Sequence, residues 1–109
     1  MTKLIAILNK IVPVHYQQVS TPTSAPYAVY DISETPIRTK DGIAGYEGTL
    51  TLSIFAQSVA RAHELAKSII STIDAQRIGN RRYYYADASD EGYPDEGITS
   101  TVLTFNTIQ

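Results

Sequence analysis

The chain contains no cysteine, which excludes disulfide staples and thiolate metal sites. Charge is scarce: eleven acidic against nine basic residues leave a formal net charge of −2. That is too near neutral for the electrostatic footprint of a nucleic-acid binder. Long apolar runs are missing too. Near the N-terminus the longest is Leu4–Leu8, too short for a signal h-region or a membrane span, so neither leader nor anchor is expected.

Catalytic vocabulary is thin. The two histidines, His15 and His63, have no His-x-x-x-His partner, and a zinc site needs three or four convergent ligands. His63 flanks an apolar helical stripe and reads as a partly buried helix residue. No Gly-x-Ser-x-Gly elbow supplies a nucleophile context. The glycines of Gly42–Gly48 precede no Lys–Ser/Thr and lead into a strand, whereas phosphate cradles lead into a helix. No catalytic set survives, so the chain is expected to be non-enzymatic, with no cofactor and no metal.

What is present suits one domain over residues 1–109. A chain of this length buries roughly 60–70% of its unfolded surface, enough for one core. Leu4, Ile5, Leu8 and Ile11 or Val12 recur at helical spacing behind Thr2, a candidate cap, and Pro13 ends that helix. Residues 14–25 read as an extended loop with Pro22 and a Ser/Thr run. A strand follows over Tyr27–Ser33, with Pro26 at its start. Glu34–Gly48 then reads as a long, mobile connection marked by Pro36, Lys40-Asp41-Gly42 and Gly45.

The clearest strand is Tyr46–Gln57. Leu50, Leu52 and Ile54 point to the core, and Thr49, Thr51, Ser53 and Phe55 point away. Ser58–Ile73 is the clearest helix: Ser58 stands at the N-cap, and Val59, Ala62, Leu65, Ala66, Ile69, Ile70 and Ile73 form its apolar stripe. Gly79-Asn80 makes a turn, Arg81–Ala88 an aromatic strand, Asp90–Gly97 an acidic loop, and Ile98–Ile108 a last strand. That last strand could lie at an exposed edge of the sheet. The expected class is α+β in the order α-β-β-α-β-β. A four-stranded, mainly antiparallel sheet would be packed by one long helix and a short N-terminal helix as a two-layer sandwich.

Two segments hold local chemistry. Asp87, Ser89, Glu91 and Asp95, with Gly92 for a bend, partly mimic a calcium loop. The twelfth position, which needs a bidentate acid, is Ile98, so a solvated acidic loop is the plainer reading. Arg81-Arg-Tyr-Tyr-Tyr85 mixes basic and stacking side chains as single-strand nucleic-acid binders do. Alternation puts Arg81, Tyr83 and Tyr85 on one face and Arg82 and Tyr84 on the other. One tyrosine set therefore belongs to the core, and a protein interface outweighs nucleic acid. A small enzyme or ligand-binding domain with a pocket between sheet and helix is a third alternative, which the apolar stripes argue against.

Pro26-Tyr-Ala-Val-Tyr30, the strand Tyr46–Phe55, the helix Ser58–Ile73 and the closing Thr101-Val-Leu-Thr-Phe105 together set a pattern. It resembles the small tail-completion (tail-terminator or head–tail joining) proteins of tailed bacteriophages and prophages. The resemblance spans essentially the whole chain. It implies a structural role: a ring, commonly of six subunits, that caps the tail tube and joins it to the head connector. Partners would be other copies, tail-tube and connector proteins, with no membrane and no nucleic acid beyond DNA passing through the ring. The implied location is the host cytoplasm during assembly, then the virion tail or neck. It transfers no catalytic residues. The candidate intersubunit or partner surface is Lys40, Asp41, Tyr46, Tyr83, Tyr85, Asp90, Glu91 and Tyr93.

Overall fold

The structure is a computed structural model that describes residues 2–16, 26–93 and 98–109. Its elements are α1 (Thr2–Asn9), β1 (Val14–Tyr16), β2 (Tyr27–Thr39), β3 (Gly42–Ala56), α2 (Val59–Ile73), β4 (Gln76–Ile78), β5 (Arg81–Tyr93) and β6 (Ile98–Ile108). They form one six-stranded mixed sheet in the order β1-β2-β3-β6-β5-β4, not the expected four-stranded one. Among the described strands only β1 and β2 pair in parallel. The added strands, β1 and β4, have three residues each, too few to show a period of two in the sequence.

The long strands also overrun their expected ends. The presumed loop Glu34–Gly48 is strand almost throughout, as β2 and β3 pair from Tyr27↔Phe55 to Thr39↔Gly42. A two-residue turn, Lys40-Asp41, joins them. Gly42 at φ +115° takes up the twist, and the Thr39 hydroxyl accepts from the Asp41 N–H and donates to the Gly42 carbonyl. The presumed acidic loop is strand through Tyr93, and residues 94–97, with Asp95 of the calcium-like pattern, lie outside the described residues. Of the loop read over 14–25, β1 takes the first three residues, and residues 17–25 are not described. β6 is central, between β3 and β5, rather than at an edge.

Each half of the chain runs helix, short strand, long hairpin, and the halves meet at the antiparallel β3–β6 pair. Leu50, Leu52 and Ile54 of β3 and Leu103 and Phe105 of β6 point to one face and are fully buried. Across them lie Ala62, Leu65, Ala66, Ile69 and Ile73 of α2, with Leu4 and Leu8 of α1 and Val12 just beyond it. Val59, read as part of the stripe, is half-exposed. Ser58 caps α2 as expected, its Oγ accepting from the Arg61 N–H at 3.2 Å. The Asn9 Oδ1 accepts the Val14 N–H at 3.0 Å, turning the chain from α1 into β1.

After α2, Asp74 ends the helix and Ala75 adopts φ 60°. A Cβ in the left-handed region is strained, and glycine is the usual occupant. Ala75 is held there by its N–H bond to the Tyr83 carbonyl at 2.7 Å. Ala75→Gly is therefore expected to raise stability by about 0.5–1 kcal/mol. Urea denaturation checks this, and an unchanged midpoint would argue that the strain is absorbed elsewhere.

Candidate interaction surfaces

The molecule is long for its mass, with principal extents of 53 × 25 × 23 Å. The β2–β3 hairpin accounts for much of this. β6 accompanies β3 only as far as Glu47↔Ile108, with one further bracket in which Tyr46 and Gln109 exchange backbone bonds at 2.8 and 3.1 Å. β1 accompanies β2 only at Ala28–Tyr30. Beyond Tyr46 the hairpin is a two-stranded arm, projecting roughly 15 Å at the usual strand rise. Lys40 and Asp41 form its exposed tip, and Tyr46 stands at its root, 38% exposed.

A bulge sets which side chains share a face of the arm. The register slips between Ile37 and Arg38, so that Ile37 pairs with Gly45 but Arg38 pairs with Ile43. Ile43, 51% exposed, thereby joins Pro36, Arg38 and Tyr46 on the face that continues the core side of the sheet. Among the described residues neither helix covers that face of the arm.

At the opposite flank, β4 pairs β5 only over Arg81–Tyr83. Tyr84 and Tyr85 follow, each 40% exposed. The Tyr85 ring sits edge-on to Phe105 at 5.9 Å, and its N–H donates outward to Asp74 Oδ1 at 2.8 Å. Tyr83, placed among the surface candidates from the sequence, is 1% exposed and belongs to the core. The three tyrosines therefore form no common stacking platform, which removes the basis for a single-strand nucleic-acid site. Glu91 and Tyr93 lie on β5 opposite Ser100 and Ile98, but their side chains are not among those described. The structure thus gathers Lys40, Asp41 and Tyr46 on the arm, and Tyr85 and Asp90 on the β5 flank, with β3 and β6 between.

Two polar constellations escaped the sequence, because their members are 27 and 47 positions apart. In the first, Asp90 on β5 accepts from Thr101 through Oδ1 at 2.8 Å and meets His63 Nε2 on α2 through Oδ2 at 2.8 Å. This clamp borders a groove of about 220 Å³ between α2 and the β5–β6 pair, lined also by Lys67, Ile70 and Leu103. Asp90 already holds the Thr101 hydroxyl, so the clamp is closed on itself. The His63 bond and then the Thr101 bond keep the Asp90 carboxyl below the usual carboxylate range.

The second joins Glu34 of β2 to Arg81 of β5. In a flat sheet the axes of these strands would stand about 14 Å apart, so the direct ion pair records a curled sheet. The path between them is kept low by Gly48, where a Cβ would lie 2.0 Å from the Ser33 carbonyl oxygen. The Arg81 guanidinium also bonds the Tyr83 hydroxyl, whose pKa burial pushes up. Glu34 Oε2, Arg81 Nε and Thr107 Oγ1 are buried without a protein partner, so the cluster is only partly satisfied.

Asp87 and Ser89 lie on the helix-free face of β5 and Asp90 on the other, so extended backbone spreads these oxygens instead of wrapping them round a cation. His15, expected in a loop, is in β1 with its ring edge-on to Tyr27 at 6.2 Å. No helix among the described residues is long and apolar enough to cross a membrane.

No family model matches the chain, and no curated protein matches it. Among solved structures it is similar to a chain from the "Virion of native gene transfer agent (GTA) particle". The TM-score is 0.72 at 16% identity, over 94% of this chain and 84% of that one. The chain therefore shares its fold with that chain of a gene transfer agent virion.

The two constellations make separable predictions. Glu34→Gln should cost about 2 kcal/mol, because it leaves the partly buried Arg81 charge uncompensated, while Glu34→Leu with Arg81→Met should cost less than either single change. Chemical denaturation of all four proteins tests the ordering; additive losses would refute it. Asp90 has a lowered folded pKa, so its contribution is present above the ordinary value of roughly 3.9 and is lost as pH falls through the folded value. The loss of stability from pH 7 to pH 3 should accordingly be smaller in Asp90→Asn than in the parent, and the gap should narrow in high salt. Parallel acid limbs for the two proteins would count against the clamp.

Proposed function

We propose that this chain is a structural protein of a phage-like virion, a tail-completion subunit that assembles into a ring between tail tube and head connector and performs no catalysis. The observation that carries the reading is the fold shared with a gene transfer agent virion chain over 94% of the sequence. The shape of the molecule supports assembly. Its exposed large apolar residues include Ile43 and Tyr46 on the arm and, across the sheet, Tyr84 and Tyr85 on the two faces of β5, with Tyr16, Val59 and Ile108 elsewhere. Unlike surfaces on separate flanks suit head-to-tail contacts, which close into a ring when the rotation per subunit allows.

The two polar constellations support a structural reading. The His63–Asp90–Thr101 clamp is half-exposed and internally satisfied. The Glu34–Arg81 pair is partly buried and joins the two flanks of the curled sheet.

Purified protein at rising concentration, with and without magnesium, should give closed rings in negative-stain images. Light scattering should give the mass of a small integral number of subunits. A strict monomer under all these conditions would overturn the ring.

A further inference from the structure

We infer that the β2–β3 arm of one copy docks face-on against the helix-free face of β5 of the next copy, with Arg38 and Lys40 set against Asp87. The inference rests on the ring reading above and names the contact that would build it.

The arm is unfinished as it stands. A two-stranded ribbon is marginal in water, yet this one presents Pro36, Ile43 and Tyr46 on the face that continues the core side. Strand addition along the outer edge of β2 is blocked at its middle. Tyr46 directs its N–H and C=O to Gln109, so the Pro36–Tyr46 pair is of the non-hydrogen-bonded kind. The Pro36 nitrogen therefore points outward, where it has no hydrogen to offer. The arm's free binding capacity lies in its face, not its edge.

Charge selects the partner surface. Between Thr35 and Gly45 the arm has Arg38, Lys40 and Asp41, a net charge of +1. The helix-free face of β5 carries Asp87 and no basic residue between Tyr84 and Ser89, whereas Asp90 is held on the other face by His63 and Thr101. That face also offers Tyr84 as a half-exposed ring. A ring beside an acid matches an apolar face that carries Arg38 and ends at Lys40, and complementary signs favour this register over arm-to-arm contact. Within one molecule β2 and β5 are separated by β3 and β6, and the arm projects away from the body, so the partner flank belongs to a second copy.

The lack of cysteine allows a clean test. Lys40→Cys and Asp87→Cys, mixed and oxidised, should give a disulfide-linked dimer, and the double variant a ladder. Neither single variant alone should give more than trace dimer. Arg38→Glu with Lys40→Glu should weaken assembly on the order of tenfold in sedimentation, and Asp87→Lys should restore it. Rings that persist with no cross-link and no effect of charge reversal would overturn the arm contact and leave the ring reading intact. A monomeric parent protein would overturn both.

Discussion

The antiparallel pairing of β3 with β6, from Glu47↔Ile108 to Ala56↔Thr99, is the frame to which every other element is fitted. Its core face is a column of fully buried Leu50, Leu52, Ile54, Leu103 and Phe105, and that one face must be covered by both helices. Burial of a large aliphatic side chain contributes about 1.5–3 kcal/mol, so this column dominates the stability of so small a body. β2 and β5 hang from its two sides as the outer strands of hairpins. With only 15 residues of α2 and 8 of α1 as cover, a flat six-stranded sheet would leave its flanks bare. Curling brings the flanks in, and the Glu34–Arg81 pair joins them over Gly48.

The central column and α2 were legible in the sequence because both are periodic. Leu50, Leu52 and Ile54 alternate with Thr51 and Ser53, and α2 repeats its apolar residues at helical spacing behind a serine cap. The missed parts share one physical cause: they are held by partners distant in the chain rather than by their own pattern. β1 and β4 are ordered by register with Ala28–Tyr30 and Arg81–Tyr83. The arm reads as loop because Pro36, Gly42, Gly45 and Gly48 are loop residues by composition. Gly48, however, is there for the close approach of β2, and Gly42 for the hairpin turn. Asp41-Gly42 was a hairpin signal, hidden by the absence of alternating apolar flanks.

The position of β6 shows a different failure. Thr99, Thr101, Thr104 and Thr107 suggest a strand that tolerates water, as an edge strand must. In the structure Thr101 and Thr107 are buried, Thr101 giving its hydroxyl to Asp90. β-Branched residues fit a pleated surface whether or not it is wet, so threonine content cannot separate a central strand from an edge. The aromatic run Tyr83–Tyr85 divides by alternation in the sequence, and the structure divides it further: Tyr83 is core, while Tyr85 on the same face is 40% exposed at the flank.

The same fact bears on the surfaces. Of the residues selected from sequence as a candidate interface, those that the structure leaves exposed fall at two places on opposite flanks of the sheet. An enzyme gathers its working residues to one point, because a reacting bond must be reached from several sides at about 3 Å. A ring subunit does the reverse: each copy must be donor to one neighbour and acceptor to the other, so its working residues separate into two unlike sets. The dispersal of Tyr46 and Lys40 from Tyr85 and Asp90 is a poor arrangement for chemistry. For head-to-tail assembly it is the arrangement that geometry requires.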